Sequence, residues 1–311
     1  MKGYLKKIGV LFSACRGYST PTSILSWLIP FTFGVISNGN IWFGTLSLLG
    51  ILAIHLGTNI FDDAIDYTKE IIDIKRGIKD KPKLQEGKCW YILNNTISLK
   101  ASYFIAFALF LTGLIIGLFF LNVWGLKLLY IIIPTAILCI LYPILGSLGL
   151  GEIIVGTIYS VLLYSGVYFV MTGDFSQTIL LLSISTGLLV VTVLFNHMLL
   201  DYKVDENNQK ITLCRLCRTE KNALILMSLI ISLAYINIIT LFLLQKISIY
   251  YLITLLSLPF GINLIKTMYK YIVNKMQIDE KSFIIKFLLS EKLLTSFTIL
   301  LFIAIVLDKL L

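Results

Sequence analysis

The stretch Thr58–Glu70 reads TNIFDDAIDYTKE and gathers Asp62, Asp63, Asp66 and Glu70 at the end of a long apolar run, Ile41–Ile60. On a helix, residues four apart share a face, so Asp62 neighbours Asp66 and Asp66 neighbours Glu70, with Asn59 one turn earlier. Like charges at this spacing repel, and beside an apolar run they are also partly desolvated. A bound cation relieves both costs. Carboxylate oxygens suit hard ions such as Mg²⁺ or Ca²⁺, and Mg²⁺ is usually shared with substrate phosphates.

A second set lies far along the chain. Asn196–Leu213 reads NHMLLDYKVDENNQKITL, with Asp201 and Asp205 four apart, Asn196 before them and Lys203 and Lys210 among them. Carboxylates that hold Mg²⁺, Mg²⁺ that holds a diphosphate, and Lys or Arg on the remaining oxygens make a chemically complete set. For one such pair the ordinary reading is the solvated end of a helix. Two sets at equivalent boundaries weigh against it, because acids at a membrane boundary are functional by default.

The elements that must position these residues follow from composition. The 311 residues are 58% hydrophobic and 14% charged, with mean hydropathy +0.90. That excludes an ordinary soluble domain and predicts an all-α integral membrane protein, read as a single domain over residues 1–311. A bilayer span needs about 17–25 apolar residues. Nine runs qualify: 20–37, 41–61, 101–121, 124–145, 150–172, 177–200, 222–244, 247–268 and 284–307. Ser37–Asn40 and Gly173–Ser176 are short enough to make helix hairpins. Pro30, Pro134 and Pro259 fall inside runs and are expected to kink them, and Tyr142-Pro143 is expected to end the fourth.

Charge sets the orientation. With nine spans, 23 of the 26 Lys and Arg fall on the side of the N-terminus; Lys127, Lys246 and Lys309 fall on the other. The basic side faces the cytoplasm. Both acidic sets then end even-numbered spans, the second and the sixth, at that cytoplasmic face of the cell membrane. The net charge of +9 is explained by those loops and by anionic lipid heads, and no basic soluble domain exists to bind nucleic acid. The N-terminal segment is read as an interfacial lead-in, since its apolar run continues without a cleavage site. Cys214 and Cys217 form a lone CxxC with no second Cys/His pair, so a structural zinc site is not expected and the thiols are read as reduced.

These residues resemble the UbiA superfamily of intramembrane prenyltransferases. The family's first motif runs Asn-Asp, two free positions, Asp, three free, Asp. Here Asp62-Asp63-Ala64-Ile65-Asp66-Tyr67-Thr68-Lys69-Glu70 matches it, with Asp62 in place of Asn and Glu70 in place of the last Asp. Asn59 stands where the naphthoate branch often carries another Asn. A second register takes Asp62 and Asp66 as the pair; Asp66 is a ligand in both, and the role of Asp63 stays open. Asp201-Tyr202-Lys203-Val204-Asp205, then Gln209-Lys210-Ile211-Thr212-Leu213, resembles the second motif, with Gln209 in place of Gly. Gly149-Leu150-Gly151-Glu152 resembles the branch's GLGE segment without its preceding basic residue, and Arg16 with Thr20-Pro21 and Pro30 loosely resembles the opening of the first span.

The resemblance implies nine helices around a central cavity with a cytoplasmic polar cap. It implies Mg²⁺-dependent transfer from a polyprenyl diphosphate to a hydrophobic aromatic acceptor, first of all 1,4-dihydroxy-2-naphthoate in menaquinone synthesis. The metal ligands would be Asn59, Asp62, Asp63, Asp66, Asp201 and Asp205, with Glu70 a further candidate. Arg16, Lys81 and Lys210 would meet phosphate oxygens, and Asn196, Tyr142 and Glu152 would line the substrate site. Another acceptor, a terpene cyclisation and a transporter are the alternatives. Tyr159, Tyr164 and Tyr168 are expected to be core aromatics first and pocket lining second, and His55 and His197 to be hydrogen-bonded histidines. The basic stretch Lys266–Lys292 is expected to form an interfacial helix, with a lid over the site as its functional reading.

Overall fold

A computed structural model describes residues 9–77, 89–207, 210–274 and 280–311, and among these all regular structure is helical. With no water in a bilayer core, a helix is the way an apolar run satisfies its own backbone. The long helices are α1 (Thr20–Ile36), α2 (Ile41–Lys75), α3 (Leu99–Trp124), α4 (Leu129–Gly146), α5 (Gly151–Thr172), α6 (Gln177–Leu200), α7 (Glu220–Leu243), α8 (Ile249–Val273) and α9 (Glu280–Leu310). Among the described residues, eight helical segments are long and apolar enough to cross a membrane. The expected third and fourth spans lie in one of them, Leu99–Gly146. That segment breaks at the 3₁₀ turn Gly125–Leu128, where Gly125 has φ 70°, a conformation that favours glycine.

Several boundaries differ from the sequence expectation for local reasons. The second helix runs to Lys75 rather than ending near residue 61. Its 35 residues span about 52 Å, well beyond a hydrocarbon core of about 30 Å, so its acidic end is helix without being membrane span. Pro143 lies inside α4, which continues to Gly146. Pro259 opens the α-helical part of α8 after a 3₁₀ stretch, Ile249–Ser257, a position where a missing N–H is harmless. The stretch Lys266–Lys292 forms no separate interfacial helix among the described residues; it is the end of α8 and the start of α9.

The chain divides into two compact units: Met1–Ile24 with Thr45–Pro143, and Leu25–Gly44 with Ile144–Leu311. In the first, Gly57 and Gly113 let α2 approach α3; a Cβ on Gly113 would lie 2.5 Å from Ile54 Cδ1. The acidic stretch of α2 is pinned from α3 by Tyr103, whose hydroxyl donates to the Ala64 carbonyl (3.2 Å) and lies 2.9 Å from Thr68 Oγ1. Ile60 is fully buried in a cluster with Ala14, Cys15, Tyr91, Ile92 and Ala106.

In the second unit small residues bring helices together, as expected where lipid is as apolar as leucine. A Cβ on Gly187 of α6 would lie 2.5 Å from Ser160 Cβ of α5. Residues Ile158–Leu162 there form a π turn, and Tyr164 donates to Thr186 at 2.8 Å. Tyr164 is therefore core, as the packing expectation had it. Asn237 of α7 donates to the Leu181 carbonyl (3.0 Å) and to Ser185 (2.9 Å) of α6. Tyr235 bonds Ser257 of α8 at 2.7 Å and meets Phe297 of α9 edge-on. The G187A variant is expected to lose about 1–3 kcal/mol of stability through overpacking, and S160G in the same chain is expected to restore it. Thermal unfolding in detergent checks both.

Candidate active site

The first acidic set is organised by Arg16. The helix over 9–14 stops there, and Arg16 takes a left-handed conformation, φ 53° and ψ 43°, before the 3₁₀ turn Gly17–Ser19. Ser19 and Thr20 tie off that turn by donating to the Arg16 and Gly17 carbonyls, each at 2.7 Å. The guanidinium hydrogen-bonds Asp63 Oδ1 and lies 3.5 Å from Asp62 Oδ2. Both carboxylates are buried, Asp63 at 2% exposure and Asp62 at 6%.

The second oxygen of Asp63 is also engaged. Asp63 Oδ2 accepts the backbone N–H of Cys89 at 3.2 Å, and the Cys89 thiol donates to the Asp63 carbonyl at 3.1 Å. Cys89 is the second left-handed non-glycine residue at this carboxylate, φ 59°, and it starts the short helix Trp90–Leu93. Asp63 thus joins three pieces of chain and has an accepted bond on each oxygen. Asp66 and Glu70, one and two turns on, are half-buried, as is Asn59. Asn59 donates to the Cys15 carbonyl at 3.2 Å, which leaves its amide oxygen turned elsewhere. His55 is held by two hydroxyls, Ser23 at 2.6 Å and Ser19 at 3.0 Å, the structural role expected of it. Tyr142 lies near enough to Arg16 to feel its charge. Lys81 falls outside the described residues.

The second set is built where α6 stops. Asp201 closes α6, and the turn Tyr202–Asn207 follows with Asp205 N–H bonded to the Asp201 carbonyl at 2.8 Å. The chain then folds back: Lys210 N–H bonds the Asp205 carbonyl at 2.9 Å, and Thr212 caps the short helix Leu213–Leu216. Gly149, with φ 82°, packs against this loop; a Cβ there would lie 3.2 Å from Ile211 Cγ2 and 3.3 Å from the Thr212 carbonyl carbon. The GLGE turn is thus the floor under the second motif. Glu152, expected to line the substrate site, is 4% exposed, is bonded by the Leu213 backbone, and carries Oε1 without a hydrogen-bond partner among the described residues.

Asp205 is the extreme case. It is fully buried and among the described residues neither carboxylate oxygen has a hydrogen bond; the Lys210 ammonium lies 3.4 Å away but misaligned. Burial, and then the neighbouring Asp205 charge, push the Asp201 carboxyl up to about 6 against the pull of Lys210. Asn196 is fully buried, donates to the Lys286 carbonyl and to Ser290, each at 3.1 Å, and keeps Oδ1 unbonded. His197 reaches toward Asp201 at 3.7 Å. Buried oxygens without donors are costly unless something positive meets them. The unpaired acceptors here are hard oxygens of Asp and Asn, the donor type Mg²⁺ takes. Among the described residues, no three His, Cys, Asp or Glu stand close enough together to hold a metal ion.

Cys214 and Cys217 are free thiols, and burial pushes both upward, away from reactive thiolate. Three participants were not evident from the sequence: Cys89, Lys286 and Ser290. They were hidden because their roles come from contacts across 26 to 94 positions of chain.

Four chains of solved structures match this one. One concerns digeranylgeranylglyceryl phosphate synthase in membranes; it is 17% identical with TM-score 0.63, over 98% of this chain and 99% of that one. A UbiA homolog from Archaeoglobus fulgidus, solved with GPP and Mg²⁺, is 14% identical with TM-score 0.57, over 94% and 99% of the two chains. The same homolog with DMAPP and Mg²⁺ gives TM-score 0.56 at 14% identity, over 94% and 98%. At these identities they show a shared fold. No curated protein matches the chain. The model of the UbiA prenyltransferase family matches residues 22–290, and on that match, with both acidic motifs inside it, the chain belongs to the UbiA prenyltransferase family.

Proposed function

We propose that this protein transfers the prenyl group of a polyprenyl diphosphate to a hydrophobic aromatic acceptor with Mg²⁺ as cofactor, and that the acceptor is 1,4-dihydroxy-2-naphthoate, as in menaquinone synthesis. The observation that carries the reading is the fully buried Asp205 carboxylate, which has Lys210 at 3.4 Å and, among the described residues, no hydrogen bond on either oxygen. The A. fulgidus homolog binds GPP or DMAPP with Mg²⁺, which supports the same ligand pair here. The resemblance of Gly149-Leu150-Gly151-Glu152 to the GLGE segment supports the naphthoate branch.

In this reading Asn59, Asp62 and Asp66, with Glu70 at the margin, would hold Mg²⁺, and so would Asp201 and Asp205. Asp63 is read as a structural residue rather than a ligand, a reading supported by the bond each of its oxygens accepts within the protein. When bound, Mg²⁺ would supply positive charge to the diphosphate leaving group. Lys210 and Arg16 add positive charge to that end of the substrate. The apolar helices exclude water that would quench the allylic cation. Glu152 holds the Lys210–Leu213 loop through the Leu213 backbone and keeps one oxygen for a proton or an acceptor hydroxyl. Tyr142 and Asn196 border the substrate. The Lys and Arg asymmetry supports a cytoplasmic N-terminus and site in the cell membrane. The family match runs through both compact units, which supports one functional domain.

The test uses purified protein in nanodiscs with geranylgeranyl diphosphate and a panel of acceptors: the naphthoate, 4-hydroxybenzoate and geranylgeranylglyceryl phosphate. Products are identified by mass spectrometry. A prenylated naphthoate is the expected product, with turnover falling by on the order of 10³-fold in EDTA and returning with Mg²⁺. Turnover undiminished in EDTA would remove the cofactor. Product from a different acceptor would keep prenyl transfer and replace the naphthoate.

A further inference from the structure

Lys286 is a lysine in a place where lysines are rarely found. It lies in the second turn of α9 and is 9% exposed. Long cationic side chains are almost never buried this far without a counter-ion. Among the described residues no carboxylate pairs with it; its ammonium sits 5.3 Å from the centre of the Tyr271 ring. A ring face orients an ammonium but does not neutralise it.

The position of Lys286 gives that charge a purpose. Its carbonyl and Ser290 Oγ, one turn on, both accept from the Asn196 amide at 3.1 Å. The His197 ring meets Phe287 edge-on at 5.6 Å. These contacts bolt the start of α9 to the last turn of α6, the turn that ends in Asp201. Tyr271 lies within electrostatic reach of Glu220 and of Asp201. The helix start that carries Lys286 is therefore packed against the stretch of α6 leading into the second acidic set. Lys210, the cation expected there, is 43% exposed and on a loop; Lys286 is buried and on a helix.

We propose that Lys286 is a diphosphate-binding residue, contributing a charge-assisted hydrogen bond to a phosphate oxygen on the Asp201–Asp205 side. The assignment rests on the Mg²⁺–diphosphate reading above. It gives the start of α9 a role in binding: the Asn196 amide holds the backbone, Tyr271 aims the ammonium, and the anion completes it.

The full-length protein in nanodiscs is titrated with inorganic diphosphate in the presence of Mg²⁺, and binding is read by calorimetry. K286M keeps the buried stem and removes the charge; K286Q is the second neutral variant and K286R the conservative one. K292Q is the control: Lys292 is on the same helix, rests 4.8 Å from the centre of the Phe260 ring, and is exposed. The neutral variants are expected to weaken binding about 10-fold or more, with K286R and K292Q within roughly 3-fold of the parent. Parent-like affinity in a folded K286M or K286Q overturns the proposal, as does equal loss in K292Q. If both neutral variants fail to fold, K286R decides: parent-like affinity together with a parent-like salt dependence supports the proposal, and loss of binding in a folded K286R overturns it. If the parent itself does not bind diphosphate with Mg²⁺, the underlying site reading falls and this one with it.

Discussion

D205N is expected to abolish prenyl transfer while leaving the metal-free protein as stable as the parent or more so. The two effects have one cause. Asp205 is fully buried and, among the described residues, neither oxygen is hydrogen-bonded. A carboxylate in that position is a standing cost, relieved only in part by a misaligned Lys210 ammonium at 3.4 Å that is itself 43% exposed. Asparagine has nearly the same shape and removes the buried charge, so the unliganded fold gains what desolvation took, about 1–3 kcal/mol at most. The same change removes the anionic oxygen that the metal and diphosphate require, and turnover should drop by on the order of 10³-fold or more. Thermal unfolding with EDTA, then with Mg²⁺ and diphosphate, separates the terms. The parent should be stabilised strongly by the ligands and the variant hardly at all. A variant that loses metal-free stability and keeps its ligand response would show that Asp205 is a structural acid.

That trade also explains which parts of the molecule were legible beforehand. Apolar runs sit where lipid requires helices, so Gln177–Leu200 and Glu220–Leu243 follow closely from hydropathy. Four-residue spacing put Asp62 with Asp66 and Asp201 with Asp205, and the DxxxD and GLGE signatures were visible as text. Hydropathy could not foresee that α2 continues to Lys75, because a charged helix and a charged loop have the same average. It could not foresee the break at Gly125 within Leu99–Gly146 either, since both sides of the turn are equally apolar. Lys286 was counted with the other basic residues as a marker of orientation. Its backbone carbonyl is held by Asn196, 90 positions away, and no local pattern encodes that. The same is true of Asp63, whose partners Arg16 and Cys89 come from before and after its own helix.

Asp63 and Arg16 are expected to behave as one structural unit, with losses that do not add. The pair is nearly dry: Asp63 is 2% exposed, and the Arg16 side chain 24%. Removing one member strands the other charge, which typically costs about 3–5 kcal/mol for a buried pair. D63N leaves Arg16 with Asp62 at 3.5 Å and keeps an oxygen for the Cys89 N–H, so it should be the milder single change. R16Q leaves two adjacent buried carboxylates, Asp62 and Asp63, without their cation, and should be the worse one. The double variant removes both sources of strain, and its stability should lie above the sum of the singles by about 0.5–3 kcal/mol. Metal dependence provides the second reading. Because the Asp63 oxygens are taken by Arg16 and Cys89, folded D63N should need the same Mg²⁺ concentration for half-maximal turnover as the parent. D66N should need at least about 10-fold more. An equal rise in both would return Asp63 to the metal and give the first motif the other register. A rise in D66N alone makes Asp62 and Asp66 the working pair, and makes Asp63 the residue that holds Arg16, Cys89 and the acidic turn of α2 in one place.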